Sequence, residues 1–177
     1  STQSLTLDGD TDMQPDMVWL KRRNGSAHHQ LFDSVRGTTK RVYPSLTNAE
    51  STDANTLTAF GTDGFTLGTN SYINGDTDTF VAWCWKESAD AGFDIVTFTG
   101  NGSARTISHS LSAVPKMMAV KNRSTSQSWR IYHNALGATK EIYFDLTDAA
   151  GTSSSTWNDT SPISSVFSVG GGAGSNE

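Results

Sequence analysis

"PKMMAVKNRSTSQSWRIYHNALGATK", Pro115 to Lys140, repeats "PDMVWLKRRNGSAHHQLFDSVRGTTK", Pro15 to Lys40, with each residue meeting the one 100 positions earlier. Pro15, Met17, Lys21 and Arg23 fall on Pro115, Met117, Lys121 and Arg123. Further on, Gly37, Thr39, Lys40 and Tyr43 meet Gly137, Thr139, Lys140 and Tyr143, and Leu46-Thr47 meets Leu146-Thr147. Apolar character persists where identity fails, as at Leu31/Ile131, Phe32/Tyr132 and Val42/Ile142. After a two-residue slip, "GFTLG" (Gly64 to Gly68) meets "VFSVG" (Val166 to Gly170). Register held over so long a stretch identifies a tandem duplication, and a repeated unit predicts a repeated fold.

Each unit reads as strands. "DMVWLK" and "KMMAVK" each follow a proline, a common strand entry. "HQLFDSV" and "WRIYHNA" are short mixed runs, while "KRVYPSL" and "KEIYFDL" follow Gly-Thr-Thr-Lys and Gly-Ala-Thr-Lys turns. Strands spaced by about ten residues with turn signals between them indicate a sandwich or jelly roll. The expected fold is therefore all-β: two tandem homologous β-sandwich, jelly-roll-like units at residues 1–87 and 91–177, joined by a short link at 88–90.

Bulk properties agree with that class. The hydrophobic fraction is 35% and the mean hydropathy is −0.42, as suits half-buried strands that turn every second side chain to solvent. Eighteen acids against 13 bases give a net charge of −5, which offers no general field for nucleic acid or anionic lipid. The lone Cys84 excludes an intrachain disulfide and a multi-cysteine metal site. No apolar run is long enough for a membrane-spanning helix. Four N-x-S/T sequons, at Asn24, Asn101, Asn122 and Asn158, are what a chain this rich in Asn, Ser and Thr yields by composition.

"TFVAWCWK" (Thr79 to Lys86) is apolar on both faces, with Phe80, Ala82 and Cys84 on one and Val81, Trp83 and Trp85 on the other. Lost alternation predicts a central strand covered on both sides. The repeat also predicts open edges. "GFDIVTFTGNGSARTISHSL" leads into the second unit, whereas residues 1–14 supply only its later part. Conversely, the second unit reaches "GGGAGSNE" where a counterpart of "TFVAWCWK" is due. Bare edges invite pairing, so the expectation is that further polypeptide or neighbouring subunits complete the sheets.

The strings "PDMVWLKRR", "DGFTLGTNSYINGDTDTFVAWCWK", "FDIVTFTGNGSARTISHSL" and "PKMMAVKNRS" together resemble a repeat of tail-fibre and virion structural proteins of marine and aquatic tailed bacteriophages. The resemblance covers nearly the whole chain and implies that the second unit, too, ends in a strand like "TFVAWCWK". A weaker similarity links the chain to the sandwich knobs of phage fibres and to H-type lectins, which implies adhesion to cell-surface glycans.

Sugar binding needs aromatic faces beside polar groups that satisfy hydroxyls. In "WRIYHN", alternation puts Trp129, Ile131 and His133 on one face and Arg130, Tyr132 and Asn134 on the other. The ligand-binding candidates are Trp129, His133 and Arg130, with His29 and Asp33 in the equivalent places of the first unit; the competing account is core on one face and ordinary surface on the other. The exposed pair His28-His29 also reads as plain loop histidine. "DGDTD" (Asp8, Asp10, Asp12) and "NGDTD" (Asn74, Asp76, Asp78) place oxygens at alternate positions, but both are explained by turn chemistry and neither has the distal glutamate of a calcium loop, so no metal site is assigned. No carboxylate pair, thiolate setting or G-x-S-x-G elbow supports catalysis, and no cofactor is implied.

The resulting expectation is a non-enzymatic structural subunit of a phage-type virion appendage or extracellular fibre that contacts host glycans. Alternatives are a dedicated lectin-like receptor-recognition module and a self-assembling filament subunit with strand exchange. Expected partners are further copies, other appendage subunits and surface polysaccharide, with neither nucleic acid nor membrane, in an extracellular or virion location.

Overall fold

The computed structural model describes all 177 residues. Strands take 32% of the chain and helix 5%, in several small antiparallel sheets with no barrel. The fold is all-β. Contacts divide it into two compact units: Ser1–Tyr43 with Glu50–Glu87, and Ser88–Glu177 with Pro44–Ala49. The first unit is thus interrupted at 44–49 rather than one run from 1 to 87.

The first unit contains β1 (Gln3–Thr6), β2 (Met17–Arg22), β3 (Gln30–Asp33), β4 (Lys40–Arg41), β5 (Ser51–Thr52), β6 (Leu57–Gly61), β7 (Gly64–Leu67), the one-turn α1 (Ser71–Asn74) and β8 (Phe80–Trp85). Its sheets run β1-β7-β6, β3-β2-β8 and β4-β5. The second unit contains β9 (Arg105–Ser108), β10 (Met117–Val120), β11 (Arg130–His133), β12 (Lys140–Glu141), β13 (Gly151–Thr152), α2 (Ser154–Trp157) and β14 (Val166–Val169). Here the sheets are β14-β9, β10-β11 and β12-β13. The second set lacks counterparts of β6, α1 and β8, and α2, between β13 and β14, stands where β6 does in the first.

Backbone bonds repeat with the strands. The bridge Leu31↔Val42 recurs as Ile131↔Ile142. Ser34 N–H donates to Asp16 O at 2.8 Å, and Asn134 N–H to Lys116 O at 2.9 Å. Gly68 N–H donates to Thr56 O at 2.6 Å, and Gly170 N–H to Thr156 O at 2.9 Å. An asparagine locks each unit at the same point. Asn74 Nδ2 donates to Gly68 O (2.7 Å) and Ser1 O (2.9 Å), while Asn176 Nδ2 donates to Gly170 O (2.9 Å) and Ser103 O (2.5 Å).

The missing β6 has a local cause. Gly64 closes the β6–β7 hairpin at φ +133, where a Cβ would lie 1.9 Å from Leu5 O. Only glycine fits there. The equivalent residue is Val166, whose carbonyl accepts from Ile163 N–H at 2.9 Å, so a tight turn remains but no strand before it pairs with β14.

In the first unit, Val18, Leu20 and Phe32 of one sheet meet Leu57, Phe65 and Leu67 of the other, with Ile73 of α1 beneath them. Leu5, Leu7, Phe60 and Cys84 extend this core, and Leu31 and Val42 are buried outside it. The second unit divides its core. Ile107, Phe167 and Val169 form one cluster, Tyr132, Ala138 and Trp157 another, and Met118 packs against both. Val96 and Phe98, from the expected opening strand, pack on the first cluster without joining a ladder.

The expectation for "TFVAWCWK" requires correction. β8 lies at a sheet edge, bonded to β2 on one side only, and Ala82 and Trp83 are exposed. Its apolar residues on both faces reflect one face toward the core through Cys84 and a second that carries an open aromatic surface.

Asp16 fastens the end of β8. Its N–H donates to Trp85 O at 2.8 Å, and its carboxylate accepts from Glu87 N–H (2.8 Å), Ser34 Oγ (3.0 Å) and Gln14 Nε2 (3.3 Å). Burial pushes this carboxyl up, but those bonds and the nearby Lys86 ammonium outweigh it and hold it below the usual 3.8. At the other end, Arg22 pairs with Asp78 at 2.6 Å and Asn24 Oδ1 accepts from Thr79 N–H at 3.2 Å. Asp16→Ala leaves Glu87 N–H without its acceptor, so the unfolding free energy in urea should fall by about 2 kcal/mol and exchange of β8 amides should quicken. Because the folded carboxyl sits below its unfolded value, Asp16 contributes fully above pH 3.8 and its share is lost as pH falls further; the wild-type advantage over the variant should vanish in strong acid.

Candidate functional site

The five residues expected as ligand contacts are divided between the two units. His29 and Asp33 belong to the first unit, and Trp129, Arg130 and His133 to the second. Asp33 is buried and committed to Arg36: its carboxylate accepts from Arg36 Nε at 2.5 Å and from Arg36 N–H at 2.8 Å. Arg36 also reaches Glu50 at 2.9 Å and Leu31 O at 3.2 Å, which makes a buried ion triad. Trp129 is only 5% exposed, packed on Phe144 with ring centroids 5.9 Å apart. Arg130 lies on the opposite face, 4.8 Å above the Tyr143 ring and 3.5 Å from Glu141. His133 is exposed, with Nδ1 accepting from Ala135 N–H at 3.3 Å.

His29 sits in an aromatic group instead. Its Nδ1 accepts from Trp19 Nε1 at 2.9 Å, which places the ring proton on Nε2. Burial lowers the imidazole's pKa, helped by the charges of Lys21 and His28, so the ring is neutral at pH 7. Trp19 meets His29 edge-on at 5.7 Å and Trp83 edge-on at 6.1 Å. Trp83, 44% exposed, is the open member of this group. Sequence reasoning overlooked Trp19 and Trp83 as a pair. The available signal was that both indoles fall on the non-core face of their strands.

The second feature is a bare edge. β2 is bonded to β3 on one side and β8 on the other, with Trp19 opposite Leu31 and Trp83. β10, its counterpart, is bonded only to β11, with Ala119 opposite Ile131. Side-chain burial follows the missing neighbour. Val18 and Leu20 are 0% and 2% exposed, whereas Met118 and Val120 are only half-buried and Met117 is 51% exposed. Asn122 Nδ2 donates to Ala173 O at 2.8 Å and to Glu177 O at 3.4 Å, which brings the end of the chain beside the Lys121 end of β10.

Burial pushes the Cys84 thiol up to about 11, so it stays protonated at neutral pH. Glu141 accepts from Tyr143 Oη at 2.7 Å and Thr156 Oγ1 at 2.5 Å, and burial together with the Glu141 bond raises the Tyr143 phenol's pKa. No three His, Cys, Asp or Glu side chains gather as a metal would require. In "NGDTD", Asp78 is taken by Arg22 and the Asn74 amide by backbone carbonyls.

Lys121, at the bare edge, is half-buried and donates to Asn122 O at 2.7 Å. Burial lowers its ammonium to about 8, against the opposing attraction of Asp145. Its folded pKa lies below the unfolded 10.5, so the penalty for the charge is full below pH 8 and is relieved as pH rises from 8 to 10.5. Stability relative to Lys121→Met should therefore climb across that window, as read from paired urea titrations at its two ends.

Residues 1–177 match a family model described as Domain of unknown function (DUF7483). No curated protein and no solved structure matches the chain.

Proposed function

Because the chain belongs to the DUF7483 family across residues 1–177, we propose a role within that family that rests on the fold's open edge: a non-enzymatic structural subunit of an extracellular or virion appendage, of the phage type that the repeat resembles. The observation that carries it is β10, unpaired along the side where its duplicate β2 holds β8. An exposed strand edge is a template for another chain, and soluble monomers blunt it with charge, proline or a cover. On β10 itself the residues are Met117, Met118, Ala119 and Val120, with no such guard. Assembly would cover Met118 and Val120 as β8 covers Val18 and Leu20.

Sedimentation velocity over a concentration series tests this. Association should grow with concentration, and Ala119→Lys, a charge on an exposed outward position, should return the chain to monomer. A chain that stays monomeric up to its solubility limit would overturn the reading.

Contact with host surface glycans is a second role, favoured by Trp83. A solvent-open indole beside Trp19 and His29 supplies an aromatic face for sugar C–H groups and an Nε2–H donor for hydroxyls. On this account Trp83→Ala should abolish binding on a glycan array, while Trp129→Ala, which empties a buried site, should lower stability instead. Equal glycan signals from wild type and Trp83→Ala would remove the platform.

A further inference from the structure

Building on the glycan contact proposed above, we infer that the outer face of the β2–β8 ladder takes an acidic saccharide: a pyranose stacked on Trp83 whose carboxylate turns toward Lys21 and Arg23.

Alternation decides what this face carries. Val18 and Leu20 turn inward with Cys84, so Met17, Trp19 and Lys21 of β2 share the other side with Val81, Trp83 and Trp85 of β8. All six are half-buried or exposed. Three of the chain's five tryptophans gather here, and Trp83 is the most open of them at 44%. A flat indole suits the C–H face of a sugar ring. An extended peptide would instead need a strand edge or a groove, which the face of a sheet does not offer.

Charge along this face is graded. Lys21 stands opposite Val81, two residues beyond Trp19 opposite Trp83. Two residues of strand span about 7 Å, the reach from a ring stacked on Trp83 to a carboxylate on that ring or the next. Lys21 Nζ donates to Arg22 O at 2.5 Å and to Gly25 O at 3.2 Å, which uses two of its three N–H groups and leaves one for a ligand. Arg23 extends the ladder, its N–H donating to Thr79 O at 2.7 Å; its side chain therefore falls on the same face as Lys21, and the residue is exposed. The charges of Lys21 and His28 both act on the His29 ring, which puts His28 at this end as well. Neighbouring acids are committed, Asp78 to Arg22, Asp33 to Arg36 and Asp16 to Lys86. Glu87 shares the parity of Trp85 but lies past the Met17 end, about 20 Å of strand from Val81. A chain of net charge −5 thus presents an aromatic face with its cations at one end. Complementarity selects an anionic ring over a neutral one and fixes the end its acid takes.

Oligosaccharides bearing uronate or sialate, each printed beside its carboxyl-reduced neutral counterpart, test this with the full 177-residue chain. Acidic members should exceed their reduced partners by about 4-fold at low salt, the scale of an exposed ion pair, and the margin should close as salt screens it. Trp83→Ala, with an unfolding midpoint matched to wild type, should remove both signals. Lys21→Gln and Arg23→Gln should each bring the acidic members down toward their partners. Lys21 also ties Arg22 O and Gly25 O, so the exposed Arg23 controls for a merely loosened loop. An oligoglutamate peptide should compete poorly.

Equal signals from acidic and neutral members, both lost on Trp83→Ala, overturn the acid and leave glycan contact standing. An array blank for both kinds overturns the two readings together. An acid preference that survives Trp83→Ala, or oligoglutamate that competes as well as an acidic sugar, overturns the stacked saccharide. A preference that neither cation variant reduces overturns the assignment of Lys21 and Arg23.

Discussion

Backbone N–H and C=O groups along a strand demand partners, and this molecule meets the demand unequally in its two halves. β2 is satisfied on both sides, by β3 and β8, whereas β10 is satisfied by β11 alone. The difference in how the two cores are covered accompanies it. A neighbour strand contributes ladder bonds and also a roof for the core side chains beneath it. With the roof, the first unit assembles one continuous core around Val18, Leu20 and Phe32. Without it, the second has two smaller clusters bridged by Met118. Thin sandwiches have little apolar area to spare, so this unit gains most from added contacts.

The duplication has kept its backbone bonds and exchanged its polar side chains. In the first unit Arg41, on β4, lies 5.4 Å from the centre of the Tyr43 ring and reaches Gln30, Ser51 and Asp53. In the second, the cation has moved to Arg130 on β11 and lies 4.8 Å from the Tyr143 ring, while position 141 has become the acid Glu141. Positions 30 and 41 touch in the fold, since Gln30 accepts from Arg41 at 3.3 Å. A charge can therefore cross from one strand to the other and still stack on the same tyrosine. The Asp33–Arg36–Glu50 triad has no such successor, because His133, Leu136 and Ala150 occupy those places. Breaking one member of a buried triad is far costlier than replacing the set together, which is how such a network is lost as a whole.

The half-buried Cys84 thiol is protonated, the buried acids Asp16, Asp33 and Glu141 are engaged by arginine, hydroxyl or backbone partners, and a strand edge and an indole face are open. The edge lies on β10, the counterpart of β2, and the indole on β8, which pairs with β2.

The all-β class and the tandem repeat were legible in the chain, because strand alternation and a fixed offset are local, one-dimensional signals. Position within the fold was not. Burial of Trp129 depends on Phe144, 15 residues away by sequence number (144 minus 129), and alternation alone cannot tell a covered face from an open one. Asp33 looked like a polar contact until Arg36 folded back upon it. β8 read as a central strand because it is apolar on both faces, yet tertiary structure put it at an edge and left Trp83 in solvent. Periodicity records which side chains share a face; what covers that face is set by distant segments, and only the folded chain brings those together.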